Sequence, residues 1–411
     1  MNKVVKNSLY YMLGLFIYLF TQWLMSILVV RLSGSYEEAG VFGTALSVTN
    51  VFFIISSFSI RNYQVADVNN KFSDSEYITF RIITCGVSIL ALPVYLIIMQ
   101  YSLYTSLSVM CYMLIKIAEA IVDVIHGIFQ KAWRLDIACK SYTIRGIVNL
   151  TVFSLTEFAL KNLVLSLLLT AAASLLCTLL IDVKCCRSMF DISIYFKNRK
   201  LIKLLQCGLP LFIHGLLSTL IYNIPRIAAQ KICGEELFGF YSSVAAPTVV
   251  IQLVVSSVFS PCITVMSEQY QKKDKKLFKT IAEIQGIIIV VGVIAVSGFA
   301  LFGNWFLEFM FGSEILEHGG LLVPAVAAAV LISVTAFISS IFTVSNHNVI
   351  MAVLEGVTFV IDLILSIILI NKFGLQGINY ALIISCVVFI VIGYCVVIPS
   401  VLKNYRHTSL K

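Results

Sequence analysis

The chain has 411 residues, 59% of them hydrophobic and only 12% charged, with a mean hydropathy of +0.96. A soluble domain averages roughly 25% charge, so this composition excludes one and puts most of the chain in lipid. The net charge of +8 is divided among short loops rather than gathered on one surface, which argues against a nucleic-acid partner.

Apolar windows of about 19 residues predict twelve spanning helices, near 8–30, 41–60, 80–100, 104–125, 143–160, 163–183, 206–225, 238–264, 281–302, 319–342, 349–370 and 376–399. Lys3 and Lys6 precede the first run, but it is too long for a signal peptide and no small-residue cleavage site follows it, so it reads as an uncleaved span. An even count puts both termini on one side. With the N-terminus inside, the 29 basic residues fall in inner segments except Arg31, Lys116, Lys161, Arg226, Lys231 and Lys372. The positive-inside rule then sets both termini in the cytoplasm. The outer loops are too short to hold an independent active site. Most of the eleven cysteines lie inside apolar runs, so no disulfide framework is expected, and the vicinal Cys185 and Cys186 read as reduced thiols.

The longest inner connection interleaves Met189, Phe190, Ile192, Ile194, Tyr195 and Phe196 with Lys184, Arg187, Lys197, Arg199, Lys200 and Lys203. That composition suits a helix lying against anionic lipid. It sits near the middle of the chain and divides it into an N-terminal six-helix lobe (1–195) and a C-terminal six-helix lobe (206–411), with 184–205 as a cytoplasmic interfacial linker.

The halves repeat weakly. Gly34-Ser-Tyr-Glu-Glu-Ala-Gly40-Val-Phe42 matches Cys233-Gly-Glu-Glu-Leu-Phe-Gly239-Phe-Tyr241, aligning Gly40 with Gly239, Glu37 with Glu236 and Phe42 with Tyr241. Both copies begin on the cytoplasmic side, as in a duplication of parallel topology.

Ionisable residues inside spans are costly and are read first as functional. In the fourth span Lys116, Glu119 and Asp123 fall within about 60° of one another around the helix, with His126 near its inner end. Lys116 neutralises only one of the two acids, which leaves the other as a candidate proton carrier. The alternative is a buried ion pair that fixes packing. The eleventh span carries Glu355 and Asp362 on one face with no basic neighbour in the same helix; they line a wet cavity or bond a neighbouring helix in protonated form. In the seventh, His214, Ser218 and Arg226 advance at intervals of four or a multiple of four, and Pro225 predicts a kink or break. Pro247 and Pro261 predict the same in the eighth. His214 reads equally as a satisfied core histidine. Gln22, Ser26, Arg145, Asn149 and Glu157 complete the polar candidates, with Arg145 and Glu157 close enough to span ends to snorkel.

In the order of its elements the chain resembles the polysaccharide exporters of the MATE-like (MOP) superfamily, flippases that move lipid-linked sugar repeat units across bacterial membranes. The residues that carry the resemblance are Glu235-Glu-Leu-Phe-Gly-Phe-Tyr-Ser-Ser243, the helix opening Cys207-Gly-Leu-Pro-Leu211, and Asn371-Lys-Phe-Gly-Leu-Gln-Gly-Ile-Asn-Tyr-Ala381. The resemblance implies an all-α membrane protein of two six-helix lobes forming a V, with a cavity that opens alternately to each side of a bacterial cytoplasmic membrane. It implies no ATP site and no resident cofactor, with a proton or sodium ion as coupling ion. The implied partners are the lipid bilayer, an undecaprenyl-pyrophosphate-linked oligosaccharide as cargo, and polysaccharide polymerase and chain-length machinery. None of the family's functional residues carries over by motif. One departure stands out: a pyrophosphate-linked cargo calls for cations, yet the mid-membrane charges are mostly acidic. Lys116 is the only clear cation, with Arg31, Arg61, Arg145 and Arg226 at the cavity mouths.

No phosphate-cradling Gly-x-x-x-x-Gly-Lys-Ser/Thr loop, His-Glu-x-x-His or Gly-x-Ser-x-Gly is present, so neither a nucleotide-driven pump nor a metal or serine hydrolase has an anchor. Three readings remain. A repeat-unit flippase comes first, with Lys116, Glu119, Asp123, Glu355 and Asp362 lining one inter-lobe cavity. A cation-coupled multidrug exporter is favoured by the acidic stripes. A membrane polymerase or glycosyltransferase lacks the long outer loop it needs.

Overall fold

The computed structural model describes residues 3–67, 70–196, 199–259, 262–345 and 347–406, so Lys197 and Pro261 lie outside the described residues. Among these residues there are helices and no strand, divided into two compact units, Met1–Thr219 and Leu220–Lys411.

The first unit contains α1 (Lys3–Ser33), α2 (Tyr36–Ser57), α3 (Ile60–Ala66), α4 (Asp74–Ile98), α5 (Leu103–Lys131), α6 (Leu135–Leu160) and α7 (Leu163–Cys177). A π-helical turn, Thr178–Val183, leads from α7 into α8 (Lys184–Met189). The long α9 (Arg199–Cys233) crosses the division. The second unit continues with α10 (Glu235–Val244), α11 (Pro247–Phe259), α12 (Cys262–Gln271), α13 (Lys276–Phe311), a 3-10 segment (Ser313–Leu321), α14 (Leu322–Val344), α15 (Asn348–Phe373) and α16 (Gln376–Arg406).

Nine of the described helical segments are long and apolar enough to cross a membrane, or ten if α10 and α11, bent by 43° at their break, form one span. The chain is therefore a multi-pass membrane protein. The expected twelve is not reached by that measure because α5 and α6 fall outside it, and both carry buried ionisable side chains, Lys116 and His126 on one and Arg145 and Glu157 on the other. Leu90, Ile97, Phe158 and Leu180 in that unit, and Leu301, Phe302, Val353 and Val391 in the other, stand exposed. They are the surface a bilayer covers, since lipid neither rewards nor penalises one apolar side chain over another there.

Packing repeats between the units as the sequence repeat suggests. In the first, α5 lies against α2, α4 and α7, and α6 against α7; in the second, α14 lies against α11, α13 and α16, and α15 against α16. The matched turns are built alike. Gly34 (φ 72°) and Gly234 (φ 91°) reverse the chain ahead of α2 and α10, in a region that glycine enters without Cβ strain. Glu37 and Glu38, and Glu235 and Glu236, then occupy the first helical turns, where carboxylates favour the positive end of the dipole.

Three expectations change. The linker is not one interfacial helix: α8 ends at Met189 and residues 190–196 run without helical structure along α4. There the Ser193 N–H donates to Ser75 Oγ (3.1 Å) and the Tyr195 N–H to Thr79 Oγ1 (3.3 Å). Second, α9 continues through Pro225 without a break. Third, the units divide inside α9 rather than at the linker, because its first turns pack on the first unit: Leu201 and Leu204 join a buried cluster with Phe58, Ile60, Phe80 and Phe129.

Candidate functional site

The charged stripe predicted on one helix is the polar spine of the first unit. Lys116, Glu119, Asp123 and His126 all lie on α5, which is largely buried, and each meets a partner from a different helix.

At the first centre Lys116 Nζ donates to Glu119 Oε2 (2.9 Å). On α1, the Tyr18 hydroxyl (2.5 Å) and Gln22 Nε2 (2.6 Å) both donate to Glu119 Oε1. The ammonium also lies 5.7 Å from the ring centres of Phe53 and Tyr112, within cation–π range. Of the two acids left open by the sequence, Glu119 is the one Lys116 pairs with.

At the second centre the expected unpaired acid is doubly paired. Asp123 accepts from Arg61 Nη1 (3.2 Å) and from Arg81 Nη2 (2.9 Å). Arg61 Nη2 also reaches Gln130 Oε1 (3.1 Å), and its guanidinium lies over Tyr11. Arg81 is 1% exposed, whereas the Arg61 and Asp123 side chains are 16% and 22% exposed. Two arginines on one carboxylate leave this centre with a net positive charge at its open edge. The cation shortage inferred from the sequence is thereby corrected: Arg61 and Arg81, both assigned to an inner segment, belong to the buried network.

At the third centre, Asp182 accepts from Arg145 Nη2 (2.7 Å) and lies 2.9 Å from His126 Nε2. Arg145 Nη1 donates to Thr178 Oγ1 (3.0 Å) and weakly to Ser174. All three side chains are almost wholly buried. Arg145 does not snorkel, and its place is a closed knot between α5, α6 and the π-helical turn that carries Asp182. Asp182 went unnoticed in the sequence because it sits in the last turn of an apolar run.

The other candidates are dispersed. Glu157 is 1% exposed on α6, beside Ser166 of α7. His214 is half-buried on α9 with the Ser218 hydroxyl 3.4 Å from Nδ1. Arg226, also half-buried, donates to the Tyr222 hydroxyl (2.5 Å) and lies over that ring at 4.2 Å. In the second unit Glu355 and Asp362 are 2% and 0% exposed on α15. Asp362 Oδ1 accepts from Ser385 Oγ on α16 (3.0 Å), and its Oδ2 has no partner among the described residues. A polar knot that was not predicted ties α10 to α16: the Tyr241 hydroxyl donates to Asn379 Oδ1 (3.0 Å), and Asn379 Nδ2 to the Leu321 carbonyl (3.2 Å). Among the described residues no three His, Cys, Asp or Glu side chains gather closely enough to hold a metal ion.

Outside the spans, the turn after α3 is fixed by Asp67. Burial pushes its carboxyl pKa up, but the Lys71 and Phe72 N–H groups and the Tyr77 hydroxyl all donate to it and hold it below the usual carboxylate range.

Two helical bundles that pack alike, with paired charges inside the first, define a class, the multi-pass transporter fold. Two solved structures share that fold. One is a MATE family multidrug resistance transporter of the MOP superfamily in an inward-facing conformation, with a TM-score of 0.74 and 14% identity, covering 95% of this chain and 96% of that one. The other is the lipid II flippase MurJ in an inward closed conformation, with a TM-score of 0.75 and 13% identity, covering 99% and 91%. The capsular polysaccharide biosynthesis protein CapF of Staphylococcus aureus is 25% identical over 395 residues, spanning 95% of this chain and 98% of the relative. Residues 4–269 match the family model described as polysaccharide biosynthesis protein, and the chain belongs to that family.

Proposed function

We propose that this protein is a flippase that carries undecaprenyl-pyrophosphate-linked oligosaccharide repeat units from the cytoplasmic to the outer leaflet of a bacterial cytoplasmic membrane, for capsule or a related surface polymer. In this reading both termini face the cytoplasm, transport proceeds by alternating access, and a proton or sodium gradient drives it. The observation that supports the cargo class is the second centre of the first unit, where Arg61 and Arg81 share one carboxylate, Asp123, among the described residues. A pyrophosphate brings the negative charge that this centre lacks, and guanidinium groups bind phosphate oxygens through paired N–H donors. Tyr11, half-buried beneath the Arg61 guanidinium, offers a ring to sugar, and Gln22 and Phe53, half-buried beside the Lys116–Glu119 pair, offer an amide and a second ring. The polymerase and chain-length machinery are the partners this role requires.

The test is a deletion strain, assayed for surface polysaccharide and for lipid-linked repeat units in the cytoplasmic leaflet. Loss of polymer with repeat units trapped inside supports the reading. Unchanged polymer with new sensitivity to cationic dyes would replace it with drug export.

A further inference from the structure

The strongest unexplained feature of the first unit is the break between α2 and α3. Phe58 and Ser59 are consecutive non-glycine residues in the left-handed region, at φ 49° and 48°, where L-residues with side chains are strained. The Phe58 N–H still completes α2 by bonding the Ile54 carbonyl (2.8 Å), and α3 restarts at Ile60. In an unbroken helix the Ser56 carbonyl would accept from the Ile60 N–H. Here it accepts from Arg81 Nη1 (3.2 Å) and Thr84 Oγ1 (2.6 Å) on α4 instead. Arg81 thus holds the broken end of α2 with one nitrogen and Asp123 with the other.

The break also bears on α9. Phe58 stacks on Phe212 with ring centres 4.5 Å apart and planes nearly parallel. Two glycines of α9 seat the strained turn: a Cβ on Gly208 would run into Ile60 and Phe58, and one on Gly215 would run into the Ser59 hydroxyl. The contacts from other helices that hold the bend come from α4, α5 and α9, and within it the Ser59 N–H donates to Ser57 Oγ (3.4 Å).

We propose that the Phe58–Ser59 turn is a two-state hinge in which α2 and α3 alternate between this bent form and one continuous helix. Straightening returns the Ser56 carbonyl to Ile60 and relieves two left-handed residues. It also turns Arg61 about the helix axis, away from Asp123, and draws Phe58 off Phe212. The bent form is the latched state, with Arg61 committed to Asp123 and α9 seated on the turn; the straight form frees the guanidinium for an anionic ligand. This last step rests on the cargo reading above, whereas the hinge itself does not.

A disulfide tests it. A Cβ on Gly215 lies 3.6 Å from Ser59 Cβ, inside the range a disulfide spans. The paired substitutions Ser59→Cys and Gly215→Cys go into a chain whose two exposed cysteines, Cys207 and Cys395, are serine. Oxidation should close the bond, slow amide exchange over residues 56–61 about tenfold and cut polymer export about tenfold, both reversed by reductant. Failure of the pair to cross-link, or equal exchange in the oxidised and reduced protein, overturns the hinge. Slowed exchange in a strain whose polymer never depends on the protein keeps the hinge and overturns the cargo. Where the double variant does not fold, Ser59→Gly, which accepts the left-handed turn, and Ser59→Val, which resists it, should shift exchange over 56–61 in opposite directions. Equal exchange in those two would also overturn the hinge.

Discussion

The hairpin of α6 and α7 and the hairpin of α15 and α16 occupy matching places in their units, yet the first buries an aspartate with an arginine and the second buries its acids with no arginine or lysine paired to Asp362 among the described residues. The first closes Arg145 on Asp182, with Thr178 and Ser174 around the guanidinium. The second buries Asp362 with one serine and leaves Oδ2 without a partner among the described residues. The matched helices pack alike while their buried polar groups differ. In the first unit a guanidinium and a carboxylate close on each other; in the second, a buried carboxylate accepts from one serine hydroxyl.

That contrast breaks or sharpens under substitution. The largest effect should come from Arg145→Ala, which strands Asp182 in the interior. Removing one partner of a buried pair costs about 3–5 kcal/mol, so folded protein recovered in detergent should fall sharply. Normal thermal stability would show that the knot is not structural. Asp123→Asn comes next, because it leaves Arg61 and Arg81 facing each other. Melting should shift downward by less than for Arg145→Ala, because Arg61 is partly exposed and regains solvent.

A smaller effect is expected at Asp67. Asp67→Asn removes the charge that three donors point at, costing roughly 1.5–3 kcal/mol locally. Because the folded carboxyl titrates below its unfolded value, its contribution is complete above about pH 4 and fades as pH falls through the folded pKa. The wild type should lose stability relative to Asp67→Asn on acidification, and a constant difference across pH would contradict the assignment. The smallest effect belongs to Asp362→Asn, which keeps an acceptor for Ser385. Its stability should stay within about 1 kcal/mol of wild type, while any dependence of transport on a proton or sodium gradient should weaken.

Much of the architecture was legible because lipid imposes it. Apolar run lengths gave the spans, and the turn that opens α2 and α10 showed as a repeated Gly-and-Glu pattern. Helical spacing showed that Lys116, Glu119 and Asp123 share one face, but not which acid Lys116 pairs with. What stayed hidden were counter-charges from elsewhere in the chain. Arg61 and Arg81 flank a charged segment and read as loop residues, because no span boundary in sequence reveals that α2 breaks and α3 turns back onto α5. The link between Arg145 and its partners had a signal that went unused. Arg145 and Thr178 lie at nearly equal chain distance from the turn at Lys161 and Asn162, so an antiparallel hairpin puts them at one depth, with Asp182 one turn beyond. Of the kink or break expected at Pro225, the break is absent because a membrane helix absorbs a proline where neighbouring groups satisfy the freed carbonyl.

The central claim is that the cation-rich centre of the first unit recognises the pyrophosphate of a lipid-linked oligosaccharide. Its most direct test is translocation of such a lipid in vesicles holding the purified protein, comparing wild type with Arg61→Ala and Asp362→Asn, each checked for folding by thermal melting. The account predicts that Arg61→Ala abolishes translocation with or without an ion gradient, while Asp362→Asn still exchanges the lipid between leaflets without a gradient. Translocation by a folded Arg61→Ala protein at the wild-type rate would contradict it.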